Sequence, residues 1–238
     1  MKVRLATVQD IPDIMQIEQE SFGEDVGVES MATEALMRDR LTRCNAVAPG
    51  WFWVAVSDGV VCGYLILQPT TLDPDLCTSW DMATDSGTLR QTFKSEGGTI
   101  FGVSLGVGSN APTGTFYMLV YRGVLLLAST RKKRILLCSR LPRLQKTLNS
   151  RGIAPEVYWK QRDRSGAPRD PLLNMFYSAF GVGPYKFMPN GWPTDEDSGG
   201  HAALIVVEDP YLSLELLAER IYAAGGVDAK RTKKGEKE

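Results

Sequence analysis

The chain has 238 residues, of which 43% are hydrophobic and 9% aromatic, and its 27 basic and 28 acidic side chains nearly cancel to a net charge of −1. This composition is typical of a globular protein and excludes the collagen-like, coiled-coil, low-complexity and disordered classes. The 4 cysteines are widely spaced and there is 1 histidine, so no close pair of metal ligands occurs. We therefore expect reduced thiols and no bound metal.

The first 45 residues predict a strand and two helices. Residues 2–7 alternate as a short strand, and Asp10 can cap a first helix whose apolar residues recur at helical spacing. A second helix is predicted from about residue 29 to residue 44. Its inner face is expected to consist of Met31, Ala35, Leu36 and Leu41.

A hairpin and a long polar segment follow. Residues 51–57 and 60–68 are rich in strand-forming side chains, and the Asp58-Gly59 pair between them is a strong signal for a two-residue hairpin turn. Residues 70–98 are polar and rich in turn residues. Because long structured loops are often functional, we interpret this segment as an insertion near a functional site.

The middle of the chain predicts a strand–loop–helix–strand unit. Residues 99–107 are consistent with a buried strand, residues 108–115 with a polar loop, residues 116–130 with an apolar helix and residues 134–138 with a second strand. Such a loop presents backbone N–H groups at a helix N-terminus, where anions bind well.

The C-terminal third continues the alternation. A helix is predicted from Asp170 to Gly181, and residues 182–188 and 201–208 are candidate strands. We expect a single domain over residues 1–210, and a C-terminal helix with a disordered basic tail over residues 211–238.

Charge is distributed unevenly along the chain. Residues 1–99 carry 7 basic and 15 acidic groups, a balance of −8, whereas residues 131–170 carry 12 basic and 3 acidic groups, a balance of +9. A basic surface on 131–170 would attract phosphorylated cofactors or an acidic carrier protein, and the alternative is a solvated helix end. Nucleic acid is not an expected partner, because the basic stretch is not interleaved with a stacking platform of aromatic residues.

Neither a membrane span nor a secretory leader is expected. The longest apolar stretch, residues 115–130, is interrupted by Arg122 and is shorter than the roughly 20 residues that a spanning helix needs. The N-terminus lacks an apolar leader segment, so we expect a cytoplasmic protein.

Several segments, in this order, resemble the GNAT superfamily of N-acyltransferases over roughly residues 2–209. Arg4-Leu5-Ala6-Thr7 resembles the superfamily's first strand, and Ser104-Leu105-Gly106-Val107 its splayed strand. The segment 176–182 is similar to its late helix, and the Ser79-Trp80-Asp81 insertion resembles one bacterial branch. The resemblance implies an α/β fold with a central mixed sheet of six to seven strands, splayed between the fourth and fifth strands and flanked by helices.

The resemblance also implies a reaction, the direct aminolysis of a phosphopantetheine thioester by a primary amine of a small molecule or peptide. The backbone of Leu105, Gly106 and Val107 would polarise the thioester carbonyl. Tyr177 would be the general acid, with a core aromatic as the alternative role. The chain lacks the acidic residue that the superfamily often carries on its fourth strand, so a water held by a polar side chain would be the base; the candidates are Ser104, Glu18 and His201.

The sequence does not distinguish between two classes of acyl donor. The cofactor-binding residues implied by the resemblance are Leu105, Gly106, Val107, Asn110, Gly114, Thr115 and Phe116. Their loop departs from the glycine-rich family pattern, since Pro112 has no N–H to offer. The donor is therefore either an acyl-CoA or the acyl-phosphopantetheine of an acyl carrier protein docked on residues 131–170, and a long fatty acyl group would suit the carrier.

The expected acceptor-binding residues are Phe22, Trp80 and Asp81. The alternative to an enzyme is an inactive module of the same fold that binds an acyl carrier or a peptide. Both a monomer and a homodimer are compatible with the sequence.

Overall fold

The computed structural model describes residues 1–23 and 31–224. The predicted disordered tail from residue 225 onward lies outside the described residues, as do residues 24–30.

Seven strands form one mixed sheet in the order β1-β2-β3-β4-β5-β7-β6. Neighbouring strands are antiparallel except for β4 and β5, which run parallel. The predicted α/β fold, with a mixed sheet that parts between its fourth and fifth strands, is confirmed. The strands are β1 (Lys2–Leu5), β2 (Phe52–Ser57), β3 (Val60–Thr70), β4 (Thr99–Val107), β5 (Arg134–Ser139), β6 (Lys186–Met188) and β7 (Ala202–Val207).

Helices cover both faces of this sheet. Alternate strand residues face opposite sides: the α-carbon of Gly106 lies beneath the α1 residue Ile17, and that of Gly63 beneath Leu119 of α4. Helix α8 packs on α4 and α7. The helices are α1 (Ile11–Phe22), α2 (Glu34–Asn45), α3 (Trp80–Thr84), α4 (Thr115–Thr130), α5 (Leu144–Arg151), α6 (Pro155–Tyr158), α7 (Pro171–Phe180) and α8 (Pro210–Ala224).

The predicted hairpin is confirmed at its turn. Asp58 and Gly59 have φ values of 53° and 85°, both in the left-handed region that a tight two-residue hairpin turn requires. The turn joins β2 to β3, and these strands form the centre of the N-terminal half of the sheet.

Asp10 has a different role from the predicted helix cap. Its side chain accepts two hydrogen bonds of 2.7 Å from the guanidinium of Arg4 and one of 2.7 Å from the backbone N–H of Thr7. No side-chain cap is formed at the start of α1. Asp10 therefore connects β1 to the start of α1 because Arg4 lies within reach.

Helix α2 begins later than predicted, at Glu34, because the hydroxyl of Thr33 caps it by accepting from the N–H of Leu36. Ala35, expected on the inner face, is exposed, and Met31 precedes the helix. The buried face consists of Met37, Arg40, Leu41 and Cys44. A charged residue thus lies on the face that packs against the sheet.

The predicted strand at 182–188 is reduced to the three residues of β6. All four cysteines are free. No helix among the described residues is long and apolar enough to cross a membrane.

Candidate active site between β4 and β5

Strands β4 and β5 part in the middle of the sheet. They pair only from Thr99 with Arg134 to Gly102 with Leu137, although β4 continues to Val107. The remaining part of β4 has no partner strand on its β5 side, so every second backbone group there faces a gap.

A β-bulge lies at the point where the strands separate. On β3, the neighbours Ile66 and Leu67 pair with Ser104 and Gly102, which leaves Val103 without a partner. A bulge changes the direction of the strand and reorients its groups, and such features occur often beside active sites.

A cavity of about 270 Å³ occupies the gap and is lined by residues from both faces of the sheet. Its part on the α4 face, which we call the apolar lobe, is lined by Leu65, Leu67, Gly102, Leu105, Phe116, Val120, Gly123, Ile135, Leu137, Leu172, Met175, Phe176 and Phe180. Its part on the α1 and α2 face, which we call the polar lobe, is lined by Glu18, Ser21, Phe22, Ala32, Arg40, Trp80, Ser104, Cys138, Arg140 and Trp192.

Helices α4 and α7 close the apolar lobe. Phe116 from α4 and Phe176 from α7 have ring centroids 5.9 Å apart, and Phe176 stacks on Phe180. Within α4, Gly123 leaves space beside Leu65 and Leu67: a Cβ built on it would lie 3.7 Å and 3.5 Å from their methyl groups. The apolar lobe is therefore a hydrophobic space suited to an acyl chain or a pantetheine arm.

A buried hydrogen-bond chain enters the polar lobe. The hydroxyl of Tyr64 donates to the carboxylate of Glu18 and is 2.9 Å from Oγ of Ser104. Burial, together with the charge of Glu18, raises the pKa of Tyr64 well above its ordinary value, so the phenol stays protonated. Glu18, Tyr64 and Ser104 can therefore pass a proton from the cavity to a carboxylate.

Two arginines, Arg40 and Arg140, line the polar lobe, and Arg40 is the one without an ion-pair partner among the described residues. Its Nε donates to the carbonyl oxygen of Gly87 at 2.7 Å, and its guanidinium lies 5.9 Å from the centroid of the Trp80 ring. Burial lowers the pKa of the guanidinium, although Arg side chains remain charged in proteins. Gly87 has a φ of +81°, and a Cβ there would lie 2.2 Å from the Arg40 side chain, so only glycine leaves room for it.

Trp80 and Trp192 form an aromatic wall over the polar lobe. Their rings stack with centroids 5.3 Å apart, and the indole Nε1 of Trp80 donates to the carbonyl oxygen of Val103 at 2.8 Å. Phe22 lines the same lobe. Asp81, the third expected acceptor residue, is exposed and does not line the cavity.

The predicted phosphate loop has few free N–H groups. The N–H of Ser109 donates to the Glu20 carboxylate at 2.8 Å, a bond that lowers the pKa of Glu20, and the N–H of Thr115 donates to the carbonyl of Pro112. A Cβ on Gly114 would lie 2.9 Å from Ala224 of α8. The end of α8 thus lies against the start of α4.

The other cofactor-binding predictions have different positions. Leu105 and Phe116 line the cavity. Gly106 lies beneath Tyr64, and Val107 is the last residue of β4. Asn110 lines a separate hollow beside the phosphate loop.

Two of the predicted catalytic residues do not join this arrangement. Helix α7 presents Leu172, Met175, Phe176 and Phe180 to the cavity, whereas Tyr177 does not line it. His201 does not line it either: its ring lies against Phe187, and its Nδ1 accepts from the N–H of Asn190 at 3.4 Å. Glu18 and Ser104 are brought together, through Tyr64.

Sequence reasoning missed Tyr64, Arg40 and Arg140. The guanidinium of Arg140 forms a buried two-point ion pair with Asp195, at 2.7 Å and 3.0 Å. This pair connects the end of β5 to the loop that carries Trp192. It therefore holds one side of the aromatic wall in place.

The basic segment 131–170 is only partly available to a partner. Arg134 and Arg140 are ion-paired with Glu208 and Asp195, and Lys132 donates to two backbone carbonyls. The exposed basic side chains are Arg131, Lys133, Arg143, Lys146, Arg151, Lys160, Arg164 and Arg169. Among the described residues, no group of three or more His, Cys, Asp or Glu side chains could hold a metal ion.

Comparison with solved structures shows the same fold. The GphF GNAT-like decarboxylase in complex with isobutyryl-CoA superposes with a TM-score of 0.69 at 20% identity, over 87% of this chain and 99% of that one. The loading GNATL domain of CurA from Lyngbya majuscula also gives 0.69, at 15% identity over 87% and 96% of the two chains. The ribosomal-protein-S18-alanine N-acetyltransferase from Escherichia coli gives 0.51, at 10% identity over 87% and 92%.

No protein-family sequence profile and no curated protein sequence matches the chain. The structural similarity is nevertheless sufficient to state that the chain has the GNAT superfamily fold.

Proposed function

We propose that this chain is an acyltransferase that moves an acyl group from a phosphopantetheine thioester to a primary amine. The observation that carries the proposal is the cavity itself: an apolar lobe meets a polar lobe at the bulge of β4, where backbone groups face the gap. The similar GphF protein holds isobutyryl-CoA. We infer that a thioester also binds here, with the acyl-pantetheine in the gap and the amine in the polar lobe.

The backbone at and after the bulge acts on the thioester carbonyl. Residues from Val103 to Val107 have no β5 partner, so an N–H of this stretch can donate to the carbonyl oxygen. A fixed donor directed at the developing oxyanion stabilises the tetrahedral intermediate. This contribution comes from the backbone and needs no polar side chain on β4.

The side chains move the proton that aminolysis releases. The amine arrives as an ammonium ion and loses one proton through Ser104 and Tyr64 to the carboxylate of Glu18. The free amine attacks the carbonyl carbon, the C–N bond forms and the C–S bond breaks. The second proton lost by nitrogen goes to the leaving sulfur, so the products are an amide, a free thiol and one proton.

The donor is either acyl-CoA or an acyl carrier protein. The scarcity of free N–H groups in the loop before α4 favours a donor with one phosphate, and the exposed cations of α5 and the following segment suit an acidic carrier protein. The cavity volume favours a short acyl chain over a long fatty one. We place the reaction in the cytoplasm.

Incubation of the purified protein with acetyl-CoA, isobutyryl-CoA, palmitoyl-CoA and an acyl carrier protein, each with a pool of amines, tests the function. Thiol release and acylated product are followed by mass spectrometry. We expect an amide product that Glu18→Gln abolishes and that Arg38→Gln, on the exposed face of α2, leaves unchanged. Thioester binding without thiol release from any donor would instead indicate an inactive binding module.

The docking surface is tested separately. The double substitution Arg143→Glu with Lys146→Glu should raise KM for an acyl carrier protein at least tenfold, because electrostatic steering is lost, and should leave KM for acyl-CoA unchanged. The exposed Arg90, on a different segment, provides the control charge reversal. Equal effects of both reversals would contradict a carrier site on α5.

A second candidate is decarboxylation of a donor whose acyl group carries a carboxylate. The similarity to the GphF GNAT-like decarboxylase and the buried guanidinium of Arg40 favour it. Incubation with malonyl-CoA distinguishes the two: carbon dioxide release without an amine would support decarboxylation, whereas an amide that retains the carboxylate would support transfer.

A further inference from the structure

We propose that the polar lobe selects an acceptor with a carboxylate beside its amine, as in an α-amino acid. This inference rests on the proposed acyl transfer and names the class of acceptor. Its basis is one juxtaposition: Glu18 and Arg40 carry opposite charges, are 4% and 3% exposed, and line the same lobe without forming an ion pair with each other.

Charged groups removed from water are costly unless they are paired. For Glu18, hydrogen bonds from the N–H of Ala32 and the hydroxyl of Tyr64 lower the cost of burying the charge. Among the described residues, Arg40 donates a hydrogen bond through Nε alone. The charge of Glu18 opposes the lowering of the Arg40 pKa by burial, although the two side chains form no ion pair with each other.

The scaffold holds the two groups apart. Glu18, on α1, is held by the N–H of Ala32 and by the hydroxyl of Tyr64. Arg40, on α2, is held by the carbonyl of Gly87 in the insertion. The stacked Trp80 ring limits movement of the guanidinium. A preorganised pair of opposite charges separated by a cavity is complementary to a zwitterion.

Contacts to both its ammonium group and its carboxylate would orient the bound acceptor. Its ammonium group would lie toward Ser104 and Glu18, next to the thioester at the bulge, and its carboxylate would accept from the Nη groups of Arg40. An amine without a carboxylate would leave Arg40 buried and unpaired. Sites built around buried polar groups reject such analogues strongly.

Competition between acids and amides tests the inference. The full chain is incubated with isobutyryl-CoA and either the twenty standard L-amino acids or their carboxamides, and acylated products are quantified. We expect kcat/KM for the preferred amino acid to exceed that for its carboxamide by about 100-fold. Isothermal titration calorimetry of the same amino acid without donor gives a readout that does not depend on turnover.

Substitutions at Arg40 assign the effect. Arg40→Gln should abolish the preference for acid over amide, mainly through KM, and Arg40→Lys should restore part of it. Arg38→Gln, on the exposed face of the same helix, should leave the ratio unchanged. Circular dichroism verifies that the Arg40 variants are folded, and wild-type selectivity alone decides the proposal if they are not.

Equal kcat/KM for acids and amides in the wild-type protein, or acylation of other amines alone, would overturn the amino-acid proposal while leaving acyl transfer intact. Amino-acid binding without acylation from any donor would overturn acyl transfer while leaving the binding site intact. Absence of both binding and acylation would overturn both.

Discussion

The indole Nε1 of Trp80 donates to the carbonyl oxygen of Val103 across 2.8 Å, and so satisfies the residue that the bulge of β4 leaves without a strand partner. The insertion, which contains the predicted acceptor-binding residue Trp80, therefore has a structural role in addition to lining the cavity. It fixes the backbone conformation at the point where a thioester carbonyl would be polarised.

Trp80→Phe should lower both stability and turnover. The Val103 carbonyl loses its donor, which costs about 1–3 kcal/mol, while the phenyl ring can still stack on Trp192. We expect kcat to fall about tenfold, measured by thiol release, because the bulge loses a fixed conformation. Trp159→Phe, outside the cavity, is the control and should leave kcat unchanged.

Tyr64→Phe should interrupt the proton path. We expect kcat to fall about 100-fold, the usual scale for losing one acid–base group. Because the pKa of Tyr64 is raised, its hydroxyl remains a proton donor at every working pH in the wild type. In the variant the rate should follow the free amine in solution, so log kcat/KM should rise with a slope of about 1 between pH 7 and 9.

The control for that experiment is Tyr121→Phe, a partly buried tyrosine of α4 that does not line the cavity. A Tyr64→Phe variant with wild-type kcat and an unchanged pH profile would return Tyr64 to a purely structural role.

These residues show why the site could be predicted only in part. Ser104 could be predicted because it is the one polar side chain of segment 100–107, whereas Glu18 is one of several polar residues of α1. Tyr64 stands in a run of strand formers, where it is indistinguishable from a core aromatic, and its partners are 46 and 40 residues away in sequence. Only the tertiary fold brings the three together.

Tyr177→Phe should have almost no effect on turnover. The Tyr177 side chain does not line the cavity, so we expect kcat to change by less than about twofold, well below the loss of a general acid. Stopped-flow measurement of thiol release provides the test. A decrease of 10-fold or more would restore Tyr177 as the acid that protonates the leaving sulfur.

Gly123→Ala should stabilise the protein, whereas Gly123→Val should narrow its donor range. Glycine in a helix interior is less favourable than alanine by about 1 kcal/mol, and the added Cβ meets only ordinary contacts. We expect a higher Tm in thermal unfolding. Gly123→Val should reduce kcat/KM for isobutyryl-CoA at least tenfold more than for acetyl-CoA, because its side chain enters the apolar lobe.

The same ratio of kcat/KM values in Gly123→Val and wild type would show that acyl chains lie elsewhere. Ala128→Val, on the exposed side of α4, controls for the helix propensity of valine.

Asp10→Asn should destabilise the fold in a pH-dependent way. The hydrogen-bonded Arg4 guanidinium lowers the pKa of Asp10, so the carboxylate contributes stability above its unfolded pKa of about 3.9 and loses it as pH falls through the lower folded value. At pH 7 we expect a loss of about 1–3 kcal/mol in urea unfolding. The difference between variant and wild type should shrink toward pH 2.

The fold could be predicted further than the site because its signals are local. Asp58-Gly59 specified a turn, and strand-forming runs on either side of it specified the hairpin. The buried face of α2 was predicted in part: Leu41 is buried, but Ala35 is exposed and Met31 precedes the helix, which Thr33 caps. Arg40 was overlooked because a cation on a helix ordinarily faces water.

The sheet consists of two antiparallel halves, β1 to β4 and β5 to β7, joined by only four residue pairs. A molecule bound in the gap contacts both halves and stabilises their association. Ligand binding should therefore raise the melting temperature of the protein. A compound that binds only the folded state, at a concentration of 100 times its Kd, adds about 2.7 kcal/mol to the free energy of unfolding. A thermal screen of thioesters and amino acids can consequently identify partners before any turnover is detected.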